Sequence, residues 1–254
     1  MHKLLAVSTL HFKEAVQERP FAAVCGLALF LLSLWLFLGH LTLGEQRRIL
    51  TDAGLSGIEL CGLVIAIFLA VNVSVREAET KQLDLFLVYT SRSNVILGKF
   101  LGFAALIGLF LAGAYVGLAG LLALYQGLSL ALLVAWYYTY LKLLIALGVT
   151  LVCCTVFRSA FLILFSSLSI YVASEWFSSG LVFSRLRAGG DGRVVLLEWL
   201  YRLLPNLDKL DVKPLVTYGL RPDGATMALH TLYALAYLGA LLALAVLLFR
   251  GREV

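Results

Sequence analysis

The chain has 254 residues, of which 61% are hydrophobic and only 14% charged. A soluble domain is closer to half apolar and a quarter charged. Here the apolar residues come in long runs with the charges gathered between them, which argues against a water-soluble domain and for a set of lipid-facing helices. The net charge of +5 is modest, fits basic residues at helix ends, and calls for no nucleic-acid partner.

Residues 2–18 read as a helix lying on the membrane, with Leu4, Leu5, Phe12, Ala15 and Val16 apolar and Lys3, Lys13, Glu14 and Gln17 polar. This interfacial element, 1–19, carries too many charges ahead of its apolar run to read as a cleavable signal. Pro20 suits the first turn of the next helix, where a missing N–H costs nothing. The first span is expected over 21–43, followed by a polar connection, GEQRRILTDAG (44–54). The second span is expected over 56–75 and the third over 98–122, ended by the short YQG at 125–127. The fourth runs over 129–154, a tight corner follows at Phe157, Arg158 and Ser159, and the fifth covers 160–178.

The long segment 179–225 comes next. Its VVLLEWLYRLL (194–204) is apolar but too short to cross a bilayer, and Glu198 and Arg202 are spaced for a helical ion pair. It reads as a half-inserted or interfacial helix on the extracytoplasmic side. PNLDKLDVKP (205–214) and RPDG (221–224) read as polar turns before a sixth span over 226–248. With the N terminus inside, ten Lys and Arg fall on the cytoplasmic side. Outside the long segment, only Arg47 and Arg48 face the other way, so both termini are placed in the cytoplasm. The expected fold is therefore all-α: one polytopic membrane domain over 1–254 with six transmembrane helices.

No GxxxxGK[ST], HExxH or GxSxG pattern occurs. The four histidines are scattered, and the four cysteines lie inside apolar runs without ligand spacing, so no metal site is expected. Ionisable groups inside spans are costly and are the default suspects. Glu59 in the second helix, Lys142 in the fourth and Glu175 in the fifth stand out; the structural reading is an interhelical pair such as Glu59–Lys142, and the functional one a proton or substrate relay. Glu59 and Glu175 are expected near the outer ends, close to water. Trp136, Tyr137, Tyr138, Tyr140 and Trp176 read as an aromatic belt. Gly113 and Gly117 form a GxxxG expected to pack helices within the bundle.

The most informative stretch joins the second and third spans. It is longer than a plain turn needs and sets Leu83, Leu85, Phe86 and Leu87 among Glu77, Glu79, Lys81 and Asp84. Such a pattern suits a short amphipathic helix lying against the membrane or against a cytoplasmic partner. Glu77, Glu79, Leu83, Asp84, Leu85, Leu87, Ser91, Arg92, Gly98, Lys99 and Phe100 match, by position and type, the equivalent stretch of the ABC type-2 permease family. The chain departs from that pattern at Lys81, Gln82 and Thr90. The wider layout of interfacial helix, six spans and half-inserted hairpin also resembles that family.

The resemblance implies the membrane subunit of an ATP-binding-cassette exporter in the cell inner membrane, paired with a second permease copy. A cytoplasmic ATPase subunit would bind ATP and Mg, leaving this chain non-catalytic and without a cofactor of its own. Residues 76–93 would be the coupling helix, with Arg76, Glu77, Glu79, Leu83, Asp84, Leu85, Phe86, Arg92 and Lys99 as coupling residues and Glu77 and Arg92 in ion pairs that hold it. The substrate path would run along the second and fifth helices, where Glu59, Asn72, Lys142, Ser166 and Glu175 are the polar points. The cargo would be lipid-like or amphipathic, or a species needed to mature an extracytoplasmic enzyme; membrane lipids and an extracytoplasmic accessory protein complete the expected partners. From the residues alone, a secondary transporter and a membrane scaffold remain the rival classes.

Overall fold

The structure, a computed structural model, describes residues 7–12, 26, 33, 46–80, 91–124, 131–178, 204–218, 220 and 222–250. Among these residues all regular structure is helical. The long helices are α1 (Gln46–Glu79), α2 (Arg92–Leu124), α3 (Ala131–Val156), α4 (Ala160–Ser178) and α6 (Gly224–Arg250), and α5 (Lys213–Thr217) is a single short turn. The chain's four prolines, Pro20, Pro205, Pro214 and Pro222, all lie outside the long helices, so nothing in them removes a backbone donor. Four helices, α1, α2, α3 and α6, are long and apolar enough to cross a membrane, and α4 adds a shorter apolar helix over Ala160–Trp176. These helices mark a membrane protein. The expected first span, 21–43, lies outside the described residues apart from Gly26 and Ser33, and so does the apolar stretch 194–203.

Helix ends follow local chemistry. The Ser91 carbonyl accepts the N–H groups of Asn94 and Val95 at the start of α2, and Asp223 accepts the Gly224 N–H through its carboxylate at 2.9 Å. At the corner between α3 and α4, Phe157 N–H closes on the Cys153 carbonyl while the Ser159 carbonyl starts the next helix.

Helix α3 is the hub: it packs against α1, α2, α4, α5 and α6. Leu118 of α2 sits against Gly54 of α1, and Leu143 of α3 against Gly62, so two glycines on α1 act as notches for fully buried leucines. The Tyr115 and Thr139 hydroxyls share a hydrogen bond of 2.9 Å between α2 and α3, and Tyr140 donates to the Ala104 carbonyl at 3.2 Å. Tyr137 donates to Thr231 Oγ1 at 3.0 Å, tying α3 to α6. Contacts between Glu77 and Lys99 at one end and Gly54 and Leu118 at the other make α1 and α2 antiparallel. One end of the bundle therefore collects the starts of α1, α3 and α6 with segment 204–218. The opposite end collects the flanks of connection 80–91, the 157–159 corner, and segment 7–12.

Several expectations change. The polar connection 44–54 is helical from Gln46 onward, with Leu50 and Thr51 buried, so α1 begins well before its apolar span. Segment 205–214 is not a polar turn: Leu207, Leu210 and Val212 are buried in the main core, together with Val216. A Cβ at Gly113 would meet open space, so that glycine makes no close helix contact among the described residues. The close approach lies instead at Gly98 and Gly102, which receive the helical segment 7–12: a Cβ on Gly102 would lie 2.8 Å from the Ser8 carbonyl oxygen. Tyr138 is fully buried against His230 rather than in an aromatic belt, whereas Trp176 is exposed.

Candidate functional site

Two charged nodes are built into the described bundle, at opposite ends of α1. The first centres on Lys142, which α3 carries into the interior. Its ammonium lies 2.6 Å from Glu59 Oε1 on α1 and 2.9 Å from Glu175 Oε1 on α4. Glu59 Oε2 is held in turn by Lys213 Nζ of α5 at 2.6 Å. The four charges form an alternating chain, Glu175–Lys142–Glu59–Lys213, that sums to zero. Tyr171 of α4 donates its hydroxyl to Glu59 Oε1 at 2.9 Å, and its ring lies 6.0 Å from the Lys142 ammonium. Glu59 is only 6% exposed, so it is not the water-near group its position suggested. Side-chain exposure rises along the chain to 21% at Lys213 and 36% at Glu175. Such a chain is tolerable in an apolar bundle because every charge has an opposite neighbour and both Glu59 oxygens are held.

The second node joins the ends of α1 and α2. Glu77, 1% exposed, pairs with Lys99, and His11 of segment 7–12 places Nδ1 3.4 Å from Glu77 Oε1. Burial first and the Lys99 charge second push the His11 pKa down to about 3, so its imidazole is neutral at physiological pH. Arg92, the first residue of α2, donates from Nη1 to the Phe249 carbonyl at 3.3 Å near the C-terminal end of α6.

Of the residues singled out in the sequence, Glu59, Lys142 and Glu175 meet at one node. Asn72 is half-buried on α1 away from them, and Ser166 donates to the Ile163 carbonyl of its own helix at 3.1 Å. Ser167 and Ser174 also back-bond to their own helix. Arg76, Glu77 and Glu79 are the last residues of α1, and Arg92 and Lys99 belong to α2, so the separate helix expected over 76–93 does not begin at Arg76. Leu83, Asp84, Leu85 and Phe86 lie outside the described residues. Cys61 and Cys153 are buried, and Cys154 is half-buried with its thiol donating to the Ala70 carbonyl at 3.7 Å.

Three participants were missed in the sequence. Tyr171 stands four residues before Glu175 and shares its helix face, a spacing that pointed to it. Lys213 was read as part of a polar turn, although Val212, Leu215 and Val216 around it are apolar. His11 carried no signal, since its neighbours are too far away in sequence. No family model matches this chain, and no curated protein sequence matches it.

Proposed function

We propose that this chain is the six-span membrane subunit of an ATP-driven exporter of the ABC type-2 kind. It sits in the inner membrane with both termini in the cytosol, pairs with a second copy, and moves a lipid-like or amphipathic cargo. The observation that carries this reading is the Glu77–Lys99 pair. It clamps the two helix ends that flank connection 80–91, the stretch that resembles a coupling helix. A cytosolic ATPase gripping that connection would not bend a loose loop. It would move the joined ends of α1 and α2 together, and a packed bundle converts such a push into a change between two arrangements.

The test is assembly with a P-loop ATPase encoded beside this chain. Glu77→Lys is expected to lower stimulated ATPase activity or assembly, and the swap Glu77→Lys with Lys99→Glu to restore it. Native purification without any nucleotide-binding subunit would remove the reading. So would labelling of connection 80–91 by a membrane-impermeant reagent from outside.

A further inference from the structure

Segment 204–218 behaves as a strap across one end of the bundle. Leu207, Leu210, Val212 and Val216 fill the core beneath it. Its rim is tied at several points. The Asn206 N–H donates to the Tyr233 hydroxyl at 2.7 Å, Lys209 Nζ lies 4.9 Å from the Tyr233 ring centre, and the Arg48 guanidinium of α1 lies 4.9 Å from the Tyr218 ring centre. Among the described residues, the ion pair by which the strap enters the charged interior is the Lys213 ammonium on Glu59 Oε2.

The charge balance depends on that single side chain. With Lys213 in place the node sums to zero. With Lys213 withdrawn, Glu59, Lys142 and Glu175 carry one net negative charge in an apolar surround, and Glu59 Oε2 loses its ionic partner. The second Glu175 oxygen, Oε2, is already buried without a hydrogen-bond partner among the described residues. Glu59 Oε1 stays occupied by Lys142 and Tyr171. A stranded buried carboxylate oxygen is costly and draws in a donor cation.

We propose that the Glu59 Oε2 position is a binding site for a primary ammonium group, and that Lys213 is its built-in occupant. The chemical class follows from what fills the site. A compact ammonium on an unbranched aliphatic stem reaches the carboxylate at hydrogen-bond distance. A quaternary ammonium has no N–H to donate to Oε2. An alkali cation gains little from one carboxylate oxygen without further oxygen ligands. The site holds whether or not the chain is an exporter, because it rests only on the node and the strap.

Chemical rescue tests it on the full chain in detergent. Lys213→Ala is expected to lower the melting temperature by about 5 °C. Addition of n-propylammonium should recover at least half of that loss, whereas tetramethylammonium and sodium at equal ionic strength should not. In Lys213→Ala combined with Glu59→Gln the propylammonium effect should vanish. If Lys213→Ala does not give folded protein, Lys213→Gln serves in its place. An unchanged melting temperature, equal rescue by all three cations, or rescue that survives Glu59→Gln would overturn the assignment.

Discussion

Removing the Lys142 charge isolates what the buried node contributes. Among the described residues, Lys142 is the cation that Glu59 and Glu175 share. Lys142→Met keeps most of the stem volume but leaves Glu175 without its ion partner and Glu59 dependent on Lys213 and Tyr171. Breaking a buried pair by deleting one partner costs about 3–5 kcal/mol. The lower end applies here, about 3 kcal/mol, because Glu175 is partly exposed and can take up water. For a chain of this size that corresponds to a fall of about 6–12 °C in melting temperature. Glu59→Gln should cost less, since Lys142 keeps Glu175 and Lys213 reaches water.

The double variant is the decisive arm. With Glu59 and Lys142 both neutral, the remaining Glu175 and Lys213 are the two more exposed members, and their charges cancel. It should therefore be more stable than the sum of the single losses allows, with a coupling of about 1.5–3 kcal/mol. The assay is thermal unfolding of all four proteins in one detergent, followed by tryptophan fluorescence or circular dichroism. Losses that add within about 0.5 kcal/mol would refute the idea that these residues act as one electrostatic unit.

Other outcomes follow from the same structure. Gly102→Ala should lift segment 7–12 off α2, because the new Cβ meets the Ser8 backbone oxygen, and hydrogen exchange at residues 7–12 should rise; Gly113→Ala, whose Cβ meets open space, should leave that exchange unchanged. The His11 imidazole is held neutral in the folded chain, with its pKa near 3 against 6.5 when unfolded. The unfolded state therefore binds the extra proton as pH falls below about 6.5, and stability drops, by about 2 kcal/mol at pH 5. His11→Phe should remove that share of the pH dependence when melting curves at pH 5 and 7.5 are compared with wild type. Leu210→Ala should cost about 2–3 kcal/mol as a core truncation, while Leu215→Ala, at a residue 37% exposed, should cost clearly less. Near-equal effects of the two would mean the strap is not packed.

The long helices were legible because lipid-length apolar runs leave an unmistakable record. Helix α4 falls where the sequence placed its fifth span, and the 157–159 corner stands between α3 and α4. The start of α1 was hidden because Arg47, Arg48, Thr51 and Asp52 imitate a loop, while Leu50 and Leu55 in the same helix pack inward. The strap was hidden for a related reason. Pro205, Asn206, Asp208, Lys209, Asp211 and Pro214 dominate its composition, and the four apolar residues that anchor it are spaced irregularly, at 207, 210, 212 and 216. The carboxylates and lysine of the node stood out from their apolar neighbours. Which of them meet depends on how α1, α3 and α4 are placed beside one another, and that information is spread over the whole core. GxxxG spacing misled for the same reason: Gly113 lies on an outward face, whereas Gly98 and Gly102 face another part of the chain.

The two charged nodes differ in a way that bears on motion. Glu59 and Glu77 lie eighteen residues apart on one unbroken helix, about 27 Å along its axis, close to the thickness of a bilayer's hydrocarbon core at about 30 Å. One helix thus carries two buried carboxylates about as far apart as the apolar layer is thick. The Glu77 node is buried, and its ion pair joins two helix ends directly, so those ends move as one piece. The Glu59 node includes a cation borne by a strap and partly open to water, so that contact can exchange without unfolding a helix. A rigid rod fixed at one end and held by an exchangeable ion pair at the other transfers displacement from the first to the second. Movement at connection 80–91 would therefore reach the far end of the rod where Lys213 meets Glu59. Under the exporter reading, this is where the work of a cytosolic motor would reach the opposite face of the bundle.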